Sequence, residues 1–592
     1  MTIWYLGSDY TRLLTLQRKI VAPFVPVAEK INEAARGLLS LILNLDGVLA
    51  GPDFDRDAWN ASDLGERSRF NSPFFLETAR IVAFLNGSGE GLHLAIADDE
   101  AFALCIFDAA KNNERDIAWL GGSQTGARLK EAMSLFAKAA RRCLGEVRAA
   151  RRRLKICKHL RQQKPLAATE VCAVDVWVVI WATDKTFSPN VPLEREDRAG
   201  RLPAVLRAGG LNVGYIVLPL WPERYEMIAH NALACAEPVL LVEDGATLVD
   251  TLCAALVSLR PLSGMKRNLM WKGIRLNAVL RRAIAHECLT GRPIKARQLS
   301  SFPRLLRKMG ASPKAVVTTY ENHSWEKVFT AAVRANLPAA KVIGHNHALV
   351  SSFYVSMNPS PGEIAADSIP DCIAALGNYT AEGLAARGFP RNRLAVVGGL
   401  RYEDFFERAK RIPSPPDSGT RNVLCCVGVD LDEGTELVRK GAEAIFGVEG
   451  LSLIVNFHPM SGPEYREALK RNLRVSNTKG FEAIRFDDRP VRDLLGEAHA
   501  VLYVDSNAAL EAAAAGRQII YVVRETGIEF DKMPPGLARH CRTPTEIRNA
   551  LLSARCTSPD EAQKILAHAI APVDAAMILK IVQGKTARET VA

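Results

Sequence analysis

LSLIVNFHP (451–459) and VLYVDSNAALEAAAAGRQIIYVV (501–523) decide the fold. Each opens as an apolar run long enough for a buried strand and too short for a helix of its own. The first run stops at His458-Pro459 and the second at Asp505-Ser506-Asn507, where an Ala-rich helical pattern begins. Ser506 and Asn507 are therefore expected at or near a helix N-cap, where side-chain oxygens and free backbone N–H groups meet a positive dipole end that suits an anion. Glu511 falls one turn further along the same face. Gly516 is expected to end the helix, and QIIYVV to form the next buried strand. Each feature alone has an ordinary reading, as a chance dipeptide, a capping serine or a solvated glutamate. Together they put an imidazole, an anion-holding terminus and a ribose-binding carboxylate on one sheet edge, the edge where open α/β sheets bind ligands.

Working outward, the same alternation of strands and helices recurs upstream. CAVDVWVVIWA (172–182) reads as a strand ending at Thr183-Asp184-Lys185, and LNVGYIVLP and EPVLLVEDG supply further strands. Two more strands end in polar residues, at Tyr320-Glu321-Asn322-His323 and at Gly344-His345-Asn346-His347. Polar groups at neighbouring C-terminal strand ends are where α/β enzymes keep their chemistry. His345 and His347 lack an Asp, Glu or Cys partner at a supporting spacing, so no metal is expected. Another strand ends at Gly398-Gly399-Leu400-Arg401, and the Pro/Ser stretch IPSPPDSG (412–419) reads as a linker. NVLCCVGVDLDEG then starts a second unit, with a turn near Gly428 whose backbone N–H groups are placed to face a diphosphate or a sugar. The expected fold class is α/β: two Rossmann-like domains facing across a cleft, with an N-terminal α/β-helical extension. The expected boundaries are 1–165 for the extension, 166–411 for the first domain and 412–592 for the second, which ends in a helical tail.

The 592 residues carry a formal net charge of +11, which points to an anionic partner. The twelve cysteines follow no CxxC or zinc spacing and read as reduced, mostly buried thiols. No signal-peptide pattern and no run of 18 apolar residues is seen. Asp98-Asp99-Glu100 reads either as an acidic catalytic cluster or as charges placed at a helix start. Residues 129–165 are a basic helical segment in which Arg141, Arg142, Arg148, Arg151, Arg152, Arg153, Lys155 and Lys158 alternate with apolar residues. It reads either as a solvated helix or as a surface for anionic lipid or a lipid-linked acceptor. Residues 259–311 repeat the basic, amphipathic pattern. No recognised reader motif accompanies the charge, so nucleic acid is not expected.

The pairing of strand–His458-Pro459 with strand–Ser506-Asn507–helix–Glu511–Gly516 resembles the C-terminal half of GT-B glycosyltransferases of bacterial surface-carbohydrate biosynthesis: sialyl-, polysialyl- and Kdo-transferases and related capsule and O-antigen proteins. The likeness spans roughly residues 175–560. It implies that His458, with Pro459, contacts the nucleotide phosphate, that Ser506 and Asn507 bind phosphate oxygens, and that Glu511 binds the ribose. Ser-Asn stands where such families often have Ser-Ser or Ser-Thr, which leaves the base open. The implied activity is metal-independent transfer of a sugar, a CMP-activated acidic sugar such as Kdo or sialic acid among the options. The donor would be a substrate, so no cofactor is expected. The implied acceptor is a lipid-linked or polysaccharide glycan, and the implied location is peripheral, at the cytoplasmic face of the inner membrane. For the catalytic base, Glu321 is expected first, its pKa raised by partial burial, and His347 second. Asp184, Lys185, His323, His345 and Arg401 are expected as further cleft residues. Transfer of a polyol phosphate from a CDP donor, epimerisation of a UDP-amino sugar, and a non-catalytic glycan- or membrane-binding role remain as alternatives.

Overall fold

The structure is a computed structural model. It describes residues 1–592 except 69–71, 90, 116, 121, 259–263, 288, 290–295, 297, 352, 416–418, 460, 554–558 and 585–592.

Two parallel sheets organise the chain. The strands are β1 (Thr2–Tyr5), β2 (His93–Ile96), β3 (Val176–Ala182), β4 (Val213–Pro219), β5 (Val239–Leu241), β6 (Met270–Trp271), β7 (Ile274–Arg275), β8 (Ala315–Thr319), β9 (Lys341–His345), β10 (Cys372–Ala375), β11 (Leu394–Val396), β12 (Arg421–Val427), β13 (Leu451–Phe457), β14 (Ile484–Phe486), β15 (Ala498–Tyr503), β16 (Gln518–Val522) and β17 (Ala538–Cys541). The first large sheet has the order β11-β10-β9-β8-β3-β4-β5 and the second β14-β13-β12-β15-β16-β17. Every pairing in both is parallel. Helices cover both faces, so the central strands bury both sides and their sequences run as unbroken apolar stretches such as VWVVIWA.

Each sheet reverses its winding once. In the first, the chain steps outward from β3 to β5 and returns on the other side at β8. In the second it steps from β12 to β14 and returns at β15. Those reversals open a crevice beyond the carboxyl ends of the strands, and that is where a doubly wound sheet holds its ligand.

The N-terminal extension has its own core, built around the helices Val27–Leu43 and Phe74–Gly87, and the parallel pair β1–β2. Leu269, Leu276, Val279 and Leu280, from the segment between β5 and β8, pack into it, and so do Phe353 and Phe530 from the two Rossmann-like domains. Asp99 caps the helix Glu100–Asn112 by accepting from Phe102 N (2.7 Å), which settles the Asp98-Asp99-Glu100 run as a helix start. The extension ties to both other units. Arg67 pairs with the buried Glu363 of the first domain (2.8 Å) and Lys327 donates to Gly65 O (2.9 Å), while Arg80 donates to Thr526 O (2.6 Å) and Glu529 N donates to Asn32 (2.7 Å).

The helical tail returns to the first domain. Ile578, Ile581 and Val582 of the helix Ala575–Val582 join its core. Gly398 lies under this crossing chain. Its φ is +85°, and a Cβ there would collide with the carbonyl of Pro572, so only glycine fits.

Candidate functional site

At the reversal of the second sheet, Gly428 follows β12, His458-Pro459 follows β13, and Asp505-Ser506-Asn507 follows β15. All six line one cavity of ≈ 350 Å³, with Glu511, Lys532 and Arg401. The register explains the convergence: Val427 pairs with Phe457, and Cys425 with both Val455 and Leu502, so the three strands end level. The helix that follows is short, Ala508–Ala514, with Asn507 as its N-cap. Ser506 Oγ accepts from Ala508 N (3.3 Å), while Asn507 Oδ1 is buried without a hydrogen-bond partner among the described residues. Burial, helped by the nearby Lys532 cation, pushes the His458 pKa down, so its imidazole is neutral near pH 7. Lys532 pairs with Asp505 (2.7 Å), and Asp505 also accepts from Tyr354 OH (2.9 Å), a bond that crosses between the domains.

At the reversal of the first sheet, a larger cavity of ≈ 650 Å³ is lined by Trp181, Arg198, Glu321, His323, His347 and Glu66, among others. Arg401, Asn507 and Lys532 line both cavities, so the two open into each other between the domains.

Four side chains form a chain of contacts on the floor of the larger cavity. Glu66 Oε1 lies 2.9 Å from His323 Nδ1, and the other ring nitrogen of His323 bonds Glu321. Glu321 Oε1 lies 3.5 Å from His347 Nε2. His323 lies between two carboxylates; although burial opposes its charge, they raise its pKa well above the ordinary value and hold it as imidazolium. His347 is the opposite case. Burial outweighs the pull of Glu321 and lowers its pKa to about 4, leaving a neutral imidazole, and its Nδ1 has no hydrogen-bond partner among the described residues.

These facts correct several expectations. Glu321 is not a carboxylate of raised pKa: burial does oppose its charge, but the hydrogen bond from the His323 imidazolium and its positive charge hold it well below the usual carboxylate range. The helix Ser324–Asn336 is capped by other carboxylates. Glu326 accepts from the backbone N–H of Glu321 and His323 (both 3.1 Å), and Glu66 accepts from Ser324 N (2.8 Å). Asp184 does not line either cavity and pairs with Arg224 (3.1 Å), and Lys185 is exposed outside both. His345 is buried among Ile343, Ile578 and Ile581, where desolvation pushes its pKa down to about 3, so it does not share a site with His347. Among the described residues no group of three or more metal-ligating side chains occurs.

Sequence reasoning missed Glu66, Arg198, Lys532 and Trp181 as cavity residues. Glu66 belongs to a four-residue helix, Asp63–Glu66, whose local sequence carries no chemical signature. Lys532 follows β16 in a loop, and only the junction between the domains gives it a role. Arg198 stands over the Trp181 ring (5.2 Å), a pairing no spacing rule announces.

No protein-family model matches the chain, and no curated protein does. Among solved structures, the chain is similar to a glycosyltransferase from Rickettsia africae (TM-score 0.40, 11% identity, 69% of this chain and 98% of that one). It is also similar to Anabaena HepE in complex with UDP and glucose (TM-score 0.38, 9% identity, 70% and 99%). A third is the UDP-GlcNAc 2-epimerase from Neisseria meningitidis bound to UDP-GlcNAc (TM-score 0.39, 11% identity, 69% and 99%). The architecture of this chain follows from its own topology: two Rossmann-like domains face each other across a cleft, the GT-B arrangement, beside an N-terminal extension.

Proposed function

We propose that this protein is a glycosyltransferase that moves a sugar from a nucleotide donor, held by the second Rossmann-like domain, to an acceptor held by the first. The observation that carries the reading is the junction: a cavity at each sheet's reversal point, joined through Arg401, Asn507 and Lys532. The nucleotide phosphate lies against His458, Ser506, Asn507 and the turn at Gly428, and Glu511 receives the ribose hydroxyls. Lys532 and Arg401 neutralise the leaving phosphate in place of a metal. The acceptor hydroxyl approaches His347, which as a neutral imidazole takes its proton, and Glu321 orients the ring and stabilises the imidazolium that forms. Arg401, which lines both cavities and has no ion pair among the described residues, suits a donor sugar with its own carboxylate. A CMP-activated acidic sugar is therefore the donor we favour, and a growing surface glycan at the cytoplasmic face of the inner membrane the acceptor.

Titration with CMP, UDP and GDP, followed by product analysis with the matching sugar nucleotides, tests this. CMP binding that His458→Ala weakens by about 1–2 kcal/mol, with transfer to a glycan acceptor, supports it. Interconversion of UDP-GlcNAc with its 2-epimer would make the protein an epimerase. Absence of binding to any nucleotide would leave a non-catalytic role.

A further inference from the structure

The 40-residue helix Gln124–Gln163 has two unlike faces. Its inner face is anchored: Arg153 pairs with Glu243 (2.7 Å), Arg161 with Asp244 (2.5 Å), and Cys157 and Leu160 enter the core of the first domain. Arg153, expected among the outward-facing cations, is thereby committed to the fold.

The outer face is composed differently. At the helical period, Leu129, Met133, Phe136, Ala140, Leu144, Arg148, Arg151, Lys155 and Lys158 fall within one stripe about a third of the circumference wide and about 44 Å long. The first half is apolar and exposed, with Leu129 at 61%, Met133 at 64% and Phe136 at 77%. The second half is basic, and Arg148, Arg151, Lys155 and Lys158 are exposed with no ion pair among the described residues. The two acids of the helix lie off this stripe, and one of them, Glu131, pairs with Arg282 (3.3 Å). Beside it runs the helix Leu248–Ser258, which packs Ala254 and Ala255 near Cys143 and leaves Val249, Leu252 and Leu256 exposed at helical spacing.

Large exposed apolar side chains on two adjacent helices are costly in water and mark an interaction surface. Continuity with a row of free cations selects the occupant. An apolar face that runs into Lys and Arg suits a bilayer surface of anionic lipid, with the rings and aliphatic tips in the acyl boundary and the cations at the phosphates. We propose that this protein docks on an anionic membrane surface through the outer faces of these two helices. Among the described residues no helix is long and apolar enough to cross a membrane, so the contact lies in the interface plane. The proposal is independent of the chemistry assigned to the cleft.

Sedimentation of the full chain with vesicles of phosphatidylglycerol in phosphatidylcholine, and with phosphatidylcholine alone, tests it. The expected result is retention on the anionic vesicles that falls with added salt. Neutralising Arg148, Arg151, Lys155 and Lys158 to Gln should weaken partitioning about fivefold per cation, which is about 1 kcal/mol each. Leu129→Asp with Phe136→Asp should also lower it, with nucleotide affinity unchanged. Should the Asp variant fold poorly, the Gln variant decides alone, because it alters only exposed side chains. Equal partitioning to both vesicle types would overturn the proposal. So would a dimer that Phe136→Asp dissolves in a chain that ignores vesicles, because the face would then join two copies.

Discussion

Glu66 Oε1 lies 2.9 Å from Nδ1 of His323, and the same carboxylate accepts from the backbone of Ser324 at 2.8 Å. An N-terminal extension that belongs to neither Rossmann-like domain thus supplies a buried anion to the floor of the cleft. It fixes His323 as imidazolium, which holds Glu321 ionised, and Glu321 faces His347. Glu66→Gln keeps the shape and loses the charge. Loss of a hydrogen bond to a charged partner costs roughly 1.5–3 kcal/mol, so turnover should fall about 10- to 100-fold. Proton NMR of the histidine ring gives an independent readout: the His323 pKa should drop in the variant. An unchanged His323 titration would show that Glu66 does not set its charge.

The pH profile separates the two candidate bases. The pKa of His347 is lowered to about 4, so it stays unprotonated through the neutral range. The rate on the acid side should hold down to about pH 5 and fall only as pH 4 is approached. His347→Gln should reduce turnover by about 10²–10⁴ with little change in nucleotide affinity. Full turnover in His347→Gln and loss in Glu321→Gln would return the role of base to Glu321.

Much of this was legible in the sequence. The strand ends at His458, Ser506, Glu321 and His347 were found because an apolar run stopping at polar residues is a local signal. What the local signal could not supply was direction. His345 and His347 are two residues apart, but β9 ends at His345, so one ring faces the core and the other the cleft. The direction of the Glu321 pKa was missed for a related reason. Burial was foreseen, but the compensating imidazolium depends on Glu66, more than 250 positions away in the chain. Contacts made by the extension leave no mark in the sequence around it.

Two buried carboxyls should give opposite pH dependences. The carboxylate of Glu363 is desolvated, but Arg67 and Lys327 lower its pKa to about 2. A depressed carboxyl contributes stability that is present above its unfolded pKa and lost as pH falls through the folded one. Glu363→Ala strands two buried cations and should cost roughly 3–5 kcal/mol, read from urea unfolding at neutral pH.

Glu287 runs the other way. Burial first, then neighbouring Asp63, raises its pKa to about 8, although it accepts from the backbone of Asp63 (3.0 Å) and Leu64. Its contribution is complete below the unfolded pKa and is lost as pH rises through about 8. Glu287→Gln should therefore flatten the fall in stability between about pH 5 and pH 9, where one proton is worth up to about 1.4 kcal/mol per pH unit. An unaltered pH slope in the variant would place the titration elsewhere.

The central claim is that a nucleotide donor occupies the second domain's reversal point and presents its sugar to the first. A crystal structure of the protein soaked with CMP or UDP tests it most directly. The expected result is phosphate density in contact with His458 and Ser506, the ribose on Glu511, and the leaving phosphate directed toward Arg401 and Lys532. Nucleotide bound elsewhere on the chain, or a cavity that stays empty while the nucleotide binds in solution, would contradict it.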